Sequence, residues 1–126
     1  MKILFADDDF DQLALRCMLL ERRGFETLPA SDSATALALA QTQQPDCAVL
    51  DLNLPTIDCG LKLVRDLKAL HPAMHLIVLT GGRAGCLKTR PELDLIDEVI
   101  EKGSGTANLL QHLTAYQLSM QPNRHM

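Results

Sequence analysis

The run Asp46-Cys47-Ala48-Val49-Leu50-Asp51-Leu52-Asn53-Leu54-Pro55 decides how the rest of the chain is read. Cys47, Ala48, Val49 and Leu50 are apolar without interruption, the pattern of a strand covered on both faces. Asp51 stands where that strand leaves its sheet. Asn53 favours a turn and Pro55 cannot donate to a ladder, so the strand stops there. A carboxylate at the end of a central strand is costly to bury unless it is paired or used. Asp51 is therefore the first residue to explain.

Other segments share this form. Ile3-Leu4-Phe5-Ala6 is a continuous apolar run that ends in Asp7-Asp8-Asp9. Leu76-Ile77-Val78-Leu79-Thr80 is stopped by Gly81-Gly82, and Val99-Ile100 ends on Glu101-Lys102. Residues 25–30 make a weaker strand, which Pro29 places at an edge. Helical patterns lie between the strands. In residues 10–23, Phe10, Leu13, Ala14, Cys17 and Leu20 recur at helical spacing, with Asp9 as the cap and Gly24 as the stop. An Ala- and Leu-rich helix over residues 34–42 is expected to be capped by Ser31 or Ser33. A third helix, bearing Leu61, Val64, Leu67 and Leu70, is expected after a loop over residues 56–60. The last presents Leu109, Leu110, Leu113, Tyr116 and Met120 on one side. In residues 83–96, Gly85 and Pro91 break any long helix. Thr89-Arg90-Pro91-Glu92 has the form of a capping box, so a short helix is expected from Thr89.

Five strands alternating with about five helices predict an α/β domain: a parallel five-stranded sheet between two helical layers, a flavodoxin-like (βα)5 three-layer sandwich of strand order 2-1-3-4-5. A chain of 126 residues supplies one core, here assigned to residues 1–120, with 121–126 as a frayed tail. Aromatic residues are only 3%, so that core must be aliphatic. A net charge of -4 argues against a surface built to coat nucleic acid or an anionic membrane. No apolar stretch approaches a membrane span, and the first apolar run meets Asp7-Asp8-Asp9 too soon for a signal peptide. Cys17, Cys47, Cys59 and Cys86 form no C-x-x-C pair and read as reduced thiols of a cytoplasmic protein. His71, His75, His112 and His125 show no partner spacing and read as surface or helix-end residues.

In sheets of this type, sites form at the carboxyl ends of the strands, beside the point where strand order reverses. The polar residues at those ends are Asp7, Asp8, Asp51, Thr80 and Lys102. Two carboxylates about 4 Å apart repel by roughly 4 kcal/mol at an effective dielectric near 20. A cation among them relieves this, and oxygen-only ligands point to Mg²⁺. A lysine and a threonine opposite can hold a transferred phosphoryl group. Asp51 is then a nucleophile that becomes an acyl phosphate.

These residues, in this order, resemble the receiver domain of bacterial two-component response regulators. The resemblance runs from Lys2 to about Met120 and is carried by Asp7-Asp8-Asp9, Asp51-Leu52-Asn53-Leu54-Pro55, Thr80-Gly81 and Lys102 at the ends of their strands. It implies that Asp51 accepts phosphate from a histidine of a sensor kinase or phosphotransfer protein. It implies that Asp8, Asp51 and the backbone carbonyl of Asn53 ligate Mg²⁺, that Asp7 acts through water, and that Thr80 and Lys102 contact the phosphoryl group. The domain would then be a signalling module of a phosphorelay rather than an enzyme, beyond its own phosphorylation and dephosphorylation chemistry. Its output would be a downstream protein target or a separate output domain, with no direct contact to nucleic acid or membrane; homodimerisation stays open.

Four departures from that family's pattern stand out, the first being that the segment from Gly81 to Ile96 lacks the usual uninterrupted fourth helix. Receivers usually follow the lysine with a cis proline, but here Lys102 precedes Gly103, and a trans bond is expected. Val99 occupies the usual position of an aromatic switch. The segment Asp58-Cys59-Gly60 reads as one residue longer than the usual Asp-Gly. The phosphorylation site is therefore expected intact and the output surface altered. One alternative is a pseudo-receiver that binds partners without phosphorylation. An aspartyl phosphatase would want an acid where Asn53 stands, and a flavin protein would not place Asp7-Asp8-Asp9 in its phosphate loop.

Overall fold

The computed structural model describes residues 1–81, 87 and 89–120. Strands β1 (Lys2–Ala6), β2 (Glu26–Ala30), β3 (Cys47–Asp51), β4 (His75–Thr80) and β5 (Glu98–Glu101) alternate with helices α1 (Phe10–Arg22), α2 (Ser33–Gln43), α3 (Ile57–Leu70) and α4 (Thr106–Ser119). All four strand pairings are parallel, in the order β2-β1-β3-β4-β5. The expected sheet is therefore the one that forms. Pro29 lies in edge strand β2, as its missing N–H demands.

Continuous apolar strands feed two cores at once, because successive side chains point to opposite faces. Leu4, Ala6, Ala48, Leu50, Leu76 and Val78 pack under α2 and α3. Ile3, Phe5, Cys47, Val49, Ile77 and Leu79 pack against the side of α1 and α4. Each fully buried aliphatic side chain contributes about 1.5–3 kcal/mol.

The register aligns the strand ends. Ala6 pairs with Leu50 and Asp51 with Leu79, so Asp7 and Asp51 emerge side by side. Thr80 pairs with Glu101, one residue before Lys102.

Several local expectations change. Asp9 caps α1 by accepting the N–H groups of Asp11 and Gln12, but the buried stripe is Leu13, Cys17 and Leu20. Phe10, in the first turn at the rim of the sheet, is 72% exposed, and Ala14 is exposed too. The cap of α2 is Asp32, not Ser31 or Ser33, and its carboxylate accepts the Thr35 N–H at 2.7 Å. A carboxylate is a stronger acceptor for an exposed helical N–H than a serine hydroxyl. Residues 57–60 are the first turn of α3 rather than loop, because Thr56 Oγ1 caps the Cys59 N–H at 3.2 Å. The apparent extra residue before Gly60 is therefore absorbed in the helix.

The Thr89 capping box does not form. A 3-10 turn spans Pro91–Leu95, with Pro91 at its start and no side-chain cap from Arg90. The acid that would close the box, Glu92, is engaged with Arg65, and the intervening Arg90 pairs with Asp58 at 2.7 Å. Most of the break expected around Gly85, with Cys86, lies outside the described residues, as do residues 121–126 and with them His125. In α4, Leu109, Leu110 and Leu113 are buried, while Met120 follows the helix and is 42% exposed.

His75 and His112 have a partner after all. Glu98 accepts from His75 Nε2 at 2.6 Å and pairs with His112 Nδ1, joining β4, β5 and α4 at the amino end of the sheet. His75 also stacks on Tyr116, with ring centroids 3.9 Å apart. His71 ends α3, its ring nitrogen 3.0 Å from the Ala40 carbonyl oxygen. Cys17 and Cys47 are buried thiols, and Cys59 is an exposed one.

Candidate functional site at the carboxyl rim

At the carboxyl rim, β1 and β3 deliver Asp7 and Asp51 from the ends of buried runs, and the turn into α1 delivers Asp8. Asp7 and Asp51 are buried, and Asp8 is exposed. One oxygen from each of the three lies within 4.8 Å of the others. Asp51 Oδ2 accepts from Lys102 Nζ at 2.8 Å, and Asp51 Oδ1 accepts the Asn53 N–H at 3.1 Å. Asp7 Oδ1 accepts the Asp9 N–H at 2.9 Å, and its Oδ2 faces Arg16 Nη1 at 3.4 Å.

Burial pushes the Asp7 carboxyl above its ordinary range. The Asp9 N–H works against that rise, the neighbouring Asp51 charge adds to it, and Lys102 and Arg16 oppose it. Thr80, at the end of β4, is 1% exposed, and its Oγ1 has no hydrogen-bond partner among the described residues. An orphaned buried hydroxyl beside a carboxylate cluster is an acceptor-seeking donor of the kind that a bound anion satisfies.

Lys102 opens a 3-10 turn Lys102–Ser104 directly after β5. The cis peptide among the described residues is Leu54–Pro55, so the bond from Lys102 to Gly103 is trans, as expected. Val99 alternates with the inward Ile100, is 36% exposed on the edge strand, and brings no ring to the rim.

The sequence reading thus gathers Asp7, Asp8, Asp51 and Lys102 in one place, with Thr80 at the adjacent strand end. It missed Arg16. A signal was present: Arg16 is three residues after Leu13 and four before Leu20, so it falls on the buried stripe of α1. A charge on such a stripe needs a buried partner. Donor chemistry at the rim is all oxygen, with two buried carboxylates, which suits a hard divalent cation rather than zinc.

A doubly wound parallel sheet with this acidic rim defines a flavodoxin-like domain carrying an oxygen-lined acidic pocket. Residues 3–114 match the response regulator receiver domain, and the chain belongs to that family. It is 37% identical over 80 residues to the alkaline phosphatase synthesis transcriptional regulatory protein PhoP of Bacillus subtilis, covering 64% of this chain and 33% of that protein. Against the sporulation initiation phosphotransferase F of the same organism it is 28% identical over 105 residues, 83% of this chain and 77% of the other. Among solved structures, a response regulator protein from Burkholderia pseudomallei, crystallised with a phosphorylated aspartic acid, calcium ion and citrate, superposes with a TM-score of 0.77 at 25% identity. That match covers 96% of this chain and 75% of the other. The chain spans about a third of the length of the transcriptional regulator PhoP.

Proposed function

We propose that this receiver domain accepts a phosphoryl group on Asp51 from a phosphohistidine of a partner kinase or phosphotransfer protein. The observation that carries the reading is the convergence of Asp7, Asp8 and Asp51 within 4.8 Å, with the Lys102 ammonium 2.8 Å from Asp51. One Asp51 oxygen attacks phosphorus, the P–N bond breaks, and the electron pair returns to the imidazole. The product is an acyl phosphate. Asp51 is buried but held at a strand end, so an in-line donor can approach from the rim.

Asp8, Asp51 and the Asn53 carbonyl would hold Mg²⁺, with Asp7 acting through water. When bound, the ion neutralises charge on the transferred oxygens. Lys102 then exchanges its contact with the Asp51 carboxylate for the phosphoryl oxygens, and the Thr80 hydroxyl gains the acceptor it lacks. The phosphorylated aspartic acid of the similar Burkholderia protein supports this reading. Val99 has neither ring nor hydroxyl, so phosphorylation would be relayed through Thr80 and Lys102, to a downstream protein or to an output domain. We place this exchange in the cytoplasm; no described helix is long and apolar enough to cross a membrane.

Intact-mass measurement after treatment with a small acyl phosphate and Mg²⁺ tests the proposal. About 80 Da should be gained by the wild type and by Asp58→Asn but not by Asp51→Asn. No gain in the wild type would leave a phosphorylation-independent interaction module.

A further inference from the structure

Arg16 is placed as no surface arginine would be. Its side chain is 13% exposed, and its guanidinium faces an Asp7 side chain that is 1% exposed. It rises from the apolar stripe of α1 between Leu13 and Leu20. It also lines, with Leu79, Ile100, Lys102 and Thr106, a small recess under the connection from β5 to α4. Two cations, Arg16 on Asp7 and Lys102 on Asp51, therefore reach into a pocket of three carboxylates. Lys102 belongs to the phosphoryl chemistry above. Arg16 is not needed for that chemistry, and among the described residues its cost of burial is offset by Asp7.

We infer that Arg16 is a positioning residue that sets the affinity of the acidic pocket for its divalent cation, by occupying Asp7 in the empty site and opposing the ion's charge in the filled one. This rests on the reading of the pocket as a Mg²⁺ site. The physical reason is competition for one carboxylate. Whatever the Arg16–Asp7 pair contributes to the empty protein is weakened when a doubly charged ion draws Asp7 toward itself. A guanidinium that stays in place still repels the ion. Both routes have the same sign, so removing the charge tightens binding.

The test is calorimetric titration of the whole chain with MgCl₂, for wild type, Arg16→Met, Arg16→Gln and Arg16→Lys, with melting followed at zero and saturating Mg²⁺. Methionine keeps the stem that covers the stripe and removes the charge. Glutamine is a second neutral variant should methionine not fold. The Mg²⁺ Kd should fall about tenfold in the neutral variants, the order expected for one unit charge beside a partly buried ionic site. It should stay within about twofold of wild type in Arg16→Lys. The neutral variants should melt lower without Mg²⁺ and gain more from it, since tighter binding adds stability by mass action. A merely structural arginine would lower both melting curves together. An unchanged or weaker Kd in the neutral variants, with wild type binding Mg²⁺, overturns this inference and leaves the cation site standing. Binding by the neutral variants alone supports it. No binding by any variant removes the inference together with the cation reading.

Discussion

Replacing Gly60 by alanine separates two physical effects of opposite sign. Gly60 lies in the first turn of α3, where alanine is favoured over glycine by about 0.8–1 kcal/mol. A methyl group there would stand 2.1 Å from the Leu52 carbonyl oxygen and 3.0 Å from its carbon. That oxygen is backbone and cannot rotate away. Leu52 is pinned by its N–H on the Leu79 carbonyl at 2.9 Å and by a side chain 2% exposed. The helix and the strand end must part by about 1 Å to restore a contact of 3.0 Å. Overpacking of a rigid site costs about 1–3 kcal/mol and occasionally more. A clash of 2.1 Å against backbone puts the cost at the upper end of that range, so after the propensity gain Gly60→Ala should destabilise by roughly 1–2 kcal/mol, lowering Tm by about 3–10 °C. Thermal and urea unfolding would measure this. Because Leu52 follows Asp51 directly, the acyl-phosphate labelling rate should fall in the same variant. A Tm equal to or above that of the wild type would refute the steric argument, since propensity alone predicts it.

Two further outcomes follow from the site and the sheet. Thr80→Val removes a buried hydroxyl without a described partner, so the unmodified protein should be unchanged or stabilised by up to about 1 kcal/mol in urea unfolding, whereas the phosphorylated form should lose lifetime. Burial alone would raise Asp97, but the Leu76 N–H at 2.7 Å and Lys68 at 3.1 Å outweigh it and hold the carboxyl below its usual range. Its contribution to stability is thus present above the unfolded pKa, about 3.9, and is lost as pH falls through the lower folded value. Asp97→Asn should therefore flatten that acid limb in pH-dependent unfolding.

Much of the rim was legible because strand ends are marked locally. Asp7, Asp51, Thr80 and Lys102 each follow an apolar run, and a parallel sheet whose connections turn one way brings such ends to one side. The errors were local competitions that periodicity does not weigh. Asp32 outcompeted two serines for the cap of α2. Thr56 started α3 in what reads as loop. Glu92 was drawn into an ion pair with Arg65 rather than closing a capping box with Thr89.

Apolar runs by themselves determined the double burial of β1, β3 and β4 and the acids that end β1 and β3, because those properties depend on neighbours two to four residues away; the strand order followed from which strands are covered on both faces and which lie at an edge. Only the folded chain decided that Arg16 would meet Asp7, that Gly60 would lie against the Leu52 carbonyl, and that Glu98 would join His75 to His112. Each of these contacts depends on how a helix is rotated against the sheet. That rotation is set by the packing of the whole core, a quantity to which no single stretch of sequence corresponds.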